Sequence, residues 1–230
     1  MKKILPVLFF LILASGMQAQ YKPILFGLRV GINNGWIKPD TEGFESEGVQ
    51  VGFTWGFISE FFFMENYAII TGFNVNFNGG KLGYPYQMEI GNDTVMTQGR
   101  LYRKYNLKYI QIPLCLKMQT DISEKLRIFG KIGIGTAFNL SAKATDEFSY
   151  EGGTESYPKK DIKDDVSLMR ESLIVGGGIE WKLKGSTAII VDLTYDNEFN
   201  NLLTGQNPAL SGSNPKAYHN FVELGAGIVF

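Results

Sequence analysis

His219 is the single histidine among 230 residues, and a lone imidazole is the first place to look for proton-transfer chemistry. On an extended chain, a nucleophile two residues away would share its face. That position, 221, is phenylalanine. No Gly-x-Ser-x-Gly elbow occurs anywhere. His219 therefore reads as a histidine hydrogen-bonded to a loop, and the chain as non-enzymatic. A second candidate is segment 146–165, which carries Asp146, Glu147, Glu151, Glu155, Asp161, Asp164 and Asp165. Oxygen donors at this density could hold Ca²⁺ or bridge anionic lipid through divalent cations. Their spacing does not match the twelve-residue calcium loop, and Lys159, Lys160 and Lys163 dilute the charge. The segment reads as a solvated loop, and no metal or cofactor is assigned.

A third set of charges is spread along the chain: Arg29, Lys117, Arg127, Lys131 and Lys182, with Glu60, Glu180, Asp192, Asp196 and Glu223. What these groups can do depends on the elements that position them. Period-two alternation runs through Phe26–Trp36, Val49–Glu60, Tyr67–Phe77, Ile110–Met118, Leu126–Leu140, Leu173–Leu183, Ile189–Tyr195 and the C-terminal "NFVELGAGIVF". That predicts eight strands. Each has one apolar face, as in Val222, Leu224, Ala226, Ile228 and Phe230. The charges fall on the other face, among Gly27, Gly31, Gly52, Gly56, Gly133, Gly135, Gly176, Gly178, Gly225 and Gly227.

Two architectures share this alternation. A soluble sandwich or lipocalin-like barrel points the apolar face inward. A transmembrane barrel points it at lipid. Solvent has no need of small residues, whereas the lumen of an eight-stranded barrel is only just wide enough for its side chains. The charges on the glycine-rich face also balance in sign, as buried charges must. The connections alternate in length. Segments 37–48, 78–104, 141–171 and 200–217 are medium to long, and 62–66, 119–125 and 184–186 are short. Long loops on one rim and tight turns on the other are the outer-membrane pattern, with turns in the periplasm and loops outside. Aromatics gather near both strand ends, Trp36, Tyr195 and Tyr218 towards the loops, Trp181 and Phe230 towards the turns. They read as interface girdles. The fold class is thus all-β, an eight-stranded antiparallel transmembrane barrel.

The N-terminus agrees with an exported protein. "MKKILPVLFFLILASGMQAQ" has basic, apolar and small-residue regions in signal-peptide order. Residues 1–19 read as the signal peptide, with cleavage between 16 and 19, and 20–230 as one barrel domain. The apolar run is too short to span a bilayer as a helix. Cys115 is the only cysteine, so no intramolecular disulfide is expected. With a formal net charge of -1 there is no basic surplus and no nucleic-acid partner is expected.

A family resemblance follows from three stretches. "YIQIPLCLK", Tyr109–Lys117, resembles the Leu/Tyr-x-x-Pro-Leu-x-Leu-Lys strand of the PorT-like outer-membrane β-barrel family of Bacteroidota. "FGLRVGINNG" resembles that family's opening strand and "ELGAGIVF" its closing one. The resemblance implies a porin-family barrel in the outer membrane of a Gram-negative cell, exported by the Sec route. Its surroundings would be outer-membrane lipid and lipopolysaccharide, and its C-terminal strand would be read by the barrel assembly machinery. The family's type member serves type IX secretion. Lipid A deacylases on similar small barrels place a serine two residues after the histidine, where this chain has Phe221.

Three functional readings follow. The first is a structural or interaction scaffold, non-conducting or weakly conducting because side chains fill the lumen. The second is an accessory to type IX secretion, and the third a small-solute or lipid-binding barrel. Segment 79–103 mixes Tyr84, Tyr86, Met88, Met96 and Tyr102 with polar residues. It suits protein partners, or it packs over the barrel mouth, or it extends the strands through a turn at Gly91–Asn92–Asp93. Pro113 lacks a donor and should mark a bulge.

Overall fold

The computed structural model describes residues 24–90, 96–205 and 214–230, so the N-terminal segment and the Gly91–Asn92–Asp93 turn lie outside the described residues. Ten strands follow one another in the chain: β1 (Ile24–Pro39), β2 (Glu45–Ser46), β3 (Gln50–Met64), β4 (Tyr67–Glu89), β5 (Met96–Asp121), β6 (Leu126–Tyr150), β7 (Gly153–Asp161), β8 (Met169–Lys182), β9 (Ala188–Glu198) and β10 (Ala217–Val229). Eight of them close a ring in the order β1-β3-β4-β5-β6-β8-β9-β10, with β10 returning to β1, and every neighbour is antiparallel. Closure leaves no open edge in the wall. The other two strands flank it. β2 pairs with the far end of β4, and β7 with the far end of β6.

The alternation decides which side is which. Leu28, Val30, Ile32, Trp55, Leu114, Ile132, Leu193 and Leu224 face outward and are between 46% and 62% exposed. The alternate positions Asn33, Glu60, Lys117, Glu180, Asp192 and Glu223 face inward and are buried. An apolar exterior over a polar interior inverts the order of a water-soluble protein and suits a lipid surround. Glycine makes the narrow lumen fillable. A Cβ on Gly133 would collide with the Leu114 carbonyl and Cys115 Cα across the strand pair, and one on Gly31 would lie 2.9 Å from the Glu223 side chain.

Three sequence expectations need correcting. Segments 78–104 and 141–171 are largely not loops. β4 and β5 run on to pair from Asn78↔Leu107 up to Glu89↔Met96, and β6 runs to Tyr150 before turning into β7. The period continues there, through Leu82, Tyr84, Leu101, Tyr105, Leu107, Ala142, Ala144 and Phe148, all buried. Arg103 and Asp146 on the same inward face broke the apolar pattern. Segment 146–165 is likewise mostly strand rather than loop, and of its seven acids Asp146 alone is buried while the others keep contact with solvent.

Nor does Pro113 mark a bulge. Pro113↔Gly135 pairs in register with β6. Towards β4 the pairing stops after Ile70↔Cys115 and resumes at Asn74↔Gln111 with the same register. The missing donor thus opens the ladder without shifting it. Gly72, in that gap, takes φ +137°, a conformation that side-chain-bearing residues rarely adopt. The register shift in this part of the wall lies between Lys108 and Tyr109, where β6 carries the extra residue Leu140 opposite.

Above the loop rim, the extended strands carry a second core. Ile37, Phe44, Leu82, Tyr84, Leu101, Tyr105, Phe148, Ile162, Val166, Leu202 and Ala217 form one buried cluster. It is contributed by β1, β4, β5, β6, the loop before β2, the residues flanking the 3-10 turn Lys163–Asp165, the segment after β9 and the start of β10. The long connections therefore make a folded cap rather than independent loops.

Candidate functional site: the barrel interior and its outer cap

Three tiers of polar contacts cross the lumen. At the short-turn end, Lys117 Nζ donates to Glu60 Oε2 at 2.7 Å and to Glu180 Oε2 at 2.9 Å. Lys117 and Glu60 are fully buried and Glu180 nearly so. Three different strands, β5, β3 and β8, supply these groups, so the cluster ties opposite walls together. The ammonium also lies 4.8 Å from the centre of the Phe129 ring. Arg127 extends the cluster outward, 3.5 Å from Glu180 and 2.7 Å from Asp121. Lys182 meets Asp121 at 2.9 Å. That last pair lies on the turn rim, not deep in the lumen, and the Asp121 side chain is half exposed. Hydrogen bonds from Lys182 and then Arg127 hold the Asp121 carboxyl below the usual carboxylate range.

The middle tier joins β1, β6, β9 and β10. Arg29 lies 2.5 Å from Glu223 and 3.5 Å from Asp192, and Lys131 lies 2.5 Å from Asp192. Thr194 Oγ1 donates to Asp192 at 2.6 Å. Beside this tier is a cavity of about 50 Å³ that reaches Cys115, Pro113 and Gln111. It has room for about three or four water-sized spheres and not for a solute.

The upper tier was only partly legible in the sequence. Arg170 is 1% exposed and lies 2.5 Å from Asp196, with Glu198 at 4.0 Å. Its guanidinium also donates to the His219 carbonyl at 2.9 Å. Gln111 donates to Asp196 at 2.8 Å and accepts from Asn76 at 3.0 Å. Sequence reading singled out Asp196 but missed Arg170 and Glu198. They fall at strand ends, in a segment read as loop and just past the last recognised alternation. Their signal was there: Glu198 lies two residues beyond Asp196 on the same face.

His219 sits in this tier, fully buried. Among the described residues its ring makes one hydrogen-bond contact, with the Gly79 carbonyl at 3.2 Å, and it lies 5.9 Å from the Phe221 ring. No group of three or more His, Cys, Asp or Glu side chains suited to a metal ion occurs among the described residues.

The aromatics sit on the outer wall. Trp36 stacks on Tyr195 at 6.1 Å near the loop rim. Trp181 and Phe230 are more than half exposed at the turn rim, and Tyr218, opposite Lys38, is half-buried. Phe230 exchanges two backbone hydrogen bonds with Phe26, 2.9 and 3.2 Å, so the closing strand is fixed to the first one at its end.

The cap has its own charge centre. Arg103 makes a two-pronged contact with Asp146, 2.8 Å at both oxygens, and reaches Asp165 at 3.4 Å. Lys160 meets Asp146 at 3.0 Å. Burial pushes the Asp146 carboxyl up, but the Arg103 hydrogen bonds and charge, with Lys160, outweigh it and hold the group below its ordinary value. A depressed folded value means that the pair stabilises fully above the unfolded carboxylate value of about 3.9. That contribution is lost as pH falls through the folded value. Hydrogen exchange at about pH 3, corrected for intrinsic rates, is expected to be faster than at neutral pH in the cap amides around Arg103 and Asp146.

The family model described as "Outer membrane protein beta-barrel domain" matches residues 18–204. That match spans most of the chain, which belongs to this family of outer-membrane β-barrel proteins. No curated protein matches the sequence. Among solved structures, the chain is similar to Ail, the attachment invasion locus protein of Yersinia pestis, with 16% identity, 90% of this chain and 99% of that chain covered, and a TM-score of 0.38. It is also similar to OprG from Pseudomonas aeruginosa, with 11% identity, 91% and 97% coverage and a TM-score of 0.46. A third similar structure is the outer membrane protease OmpT from Escherichia coli, with 10% identity, 94% and 99% coverage and a TM-score of 0.40.

Proposed function

We propose that this chain is a sealed, non-enzymatic outer-membrane barrel that holds a rigid cap above the outer leaflet as an interaction surface. One observation carries the reading: ion pairs cross the lumen at three heights, and a hydrophobic core closes the mouth above them. A conduction path would have to break buried pairs whose partners would be left charged and unpaired. The paired interior resists deformation and gives the cap a fixed base. Outer-membrane lipid and lipopolysaccharide surround the wall in this reading. The closing strand, β10, presents its end to the assembly machinery, and protein partners meet the cap.

The test of the scaffold role is cross-linking in cells from a photoreactive residue at Tyr102, on the outward face of the cap. A discrete protein adduct is expected there, and none from Leu114 on the lipid face. Adducts of equal yield from both sites would count against a docking role.

The finer placement, in the PorT-like group, draws support from the Pro113-containing stretch Tyr109–Lys117 and the opening and closing strands. A service to type IX secretion is tested by deleting the gene and comparing secreted proteins. Cargo lost from the surface and held in the periplasm would establish it, and unchanged secretion would reject it.

A further inference from the structure

The cations inside the lumen have acidic partners, whereas three lysines share one groove at the foot of the cap. Lys108, Lys143 and Lys159 line one groove of about 360 Å³ on the outside of the barrel. Among the described residues, no carboxylate lies within 4.0 Å of any of these amines, whereas Arg29, Lys117, Arg127, Lys131 and Arg170 are all paired. The nearest acid on the pairing strand, Asp161 opposite Lys143, accepts the backbone N–H of Lys163 at 2.9 Å.

The lower side of the groove is apolar. Val51 and Phe53 are 69% and 50% exposed, and Phe53 stacks on Phe77 with ring centres 4.3 Å apart. These residues continue the outward apolar face, and Phe77 pairs with Lys108 across β4 and β5. The Lys108 ammonium lies 5.0 Å above the Phe77 ring. The lysines therefore stand where the lipid-facing belt ends and the headgroup layer begins, the depth at which long basic side chains place an apolar stem in lipid and a charge at the interface.

We infer that this groove binds the phosphate of an outer-leaflet lipid headgroup, with an acyl chain of the same lipid lying on Val51, Phe53 and Phe77. Three lysines line the one groove, with no carboxylate within 4.0 Å of their amines among the described residues. The apolar floor directly beneath them selects a phosphate that carries a chain over one free in water. The inference needs only the family's membrane location and stands whether or not the scaffold reading holds.

The test uses the purified full-length protein in phosphatidylcholine nanodiscs with and without bisphosphorylated lipid A, read by native mass spectrometry of the retained lipid. The wild type is expected to retain lipid A. The triple variant K108Q/K143Q/K159Q is expected to retain about a hundredfold less, since each interfacial lysine contributes on the order of 1 kcal/mol and every 1.4 kcal/mol is about tenfold. The control K125Q/K184Q, on the periplasmic turns, should retain as much as the wild type. Circular dichroism checks that each variant is folded. F53S, which keeps all three amines, should also lose retention. Equal retention by the triple variant and wild type would overturn the site. Full displacement by inorganic phosphate, with F53S unchanged, would overturn the lipid assignment.

Discussion

Replacing Lys117 with alanine is expected to destabilise the barrel by about 3–5 kcal/mol. Among the described residues, the substitution removes the only cation within hydrogen-bond reach of Glu60, and it leaves Glu180 with the 3.5 Å contact to Arg127 alone. Two carboxylates would then face each other in a buried site without that ammonium. The loss comes from stranding them rather than from the intrinsic worth of the pair, so K117M combined with E60Q and E180Q should recover most of it. Urea unfolding in vesicles, followed through the fluorescence of the three tryptophans, measures both. The control is Lys182→Ala. Its partner, Asp121, is half exposed, so the change should be within about 1 kcal/mol. A Lys117→Ala shift no larger than the Lys182→Ala shift would mean that the lower tier is hydrated and does not brace the wall.

The second large effect is confined to the cap. Arg103→Ala removes a two-pronged contact to Asp146 and the reach to Asp165, and among the described residues it leaves Asp146 with only the half-exposed Lys160. The expected cost is about 2–4 kcal/mol of local stability. Cap amides between residues 97 and 107 and between 142 and 149 should exchange roughly a hundredfold faster, since every 1.4 kcal/mol is about tenfold. Amides of the wall below, such as those of β9, should not change, because the cap core and the lumen tiers use different side chains. A uniform acceleration across the chain would show that cap and wall unfold as one unit. No change at all would show that the cap core holds without its ion pair.

The ring of eight strands was legible because lipid on one side and a packed lumen on the other impose alternation at every position. A strand such as Leu28–Val30–Ile32 with Arg29, Gly31 and Asn33 between has little freedom to read otherwise. The lumen charges were legible for the same reason, since a charge in phase with glycine has to face inward. The cap was not. Above the rim both faces meet water or protein, so outward positions turn polar and inward ones mix Leu101 and Tyr105 with Arg103. The period survives but the contrast between faces does not. Arg170 and Glu198 lie at that boundary and were lost with it. Pro113 misled differently. A missing donor was expected to shift register, but the wall kept its register through Pro113↔Gly135 and left the other ladder open at Gly72. The groove of lysines could not be seen at all, because Lys108, Lys143 and Lys159 come together only when β5, β6 and β7 pair.

The central claim is that the lumen is sealed, and single-channel recording tests it most directly. The full-length protein should be inserted in planar bilayers at neutral pH. No steps above baseline are expected from the wild type, nor from the double variant K117A/R170A, because the middle tier and the cap core still close the path. Large, steady steps from the wild type would contradict the account.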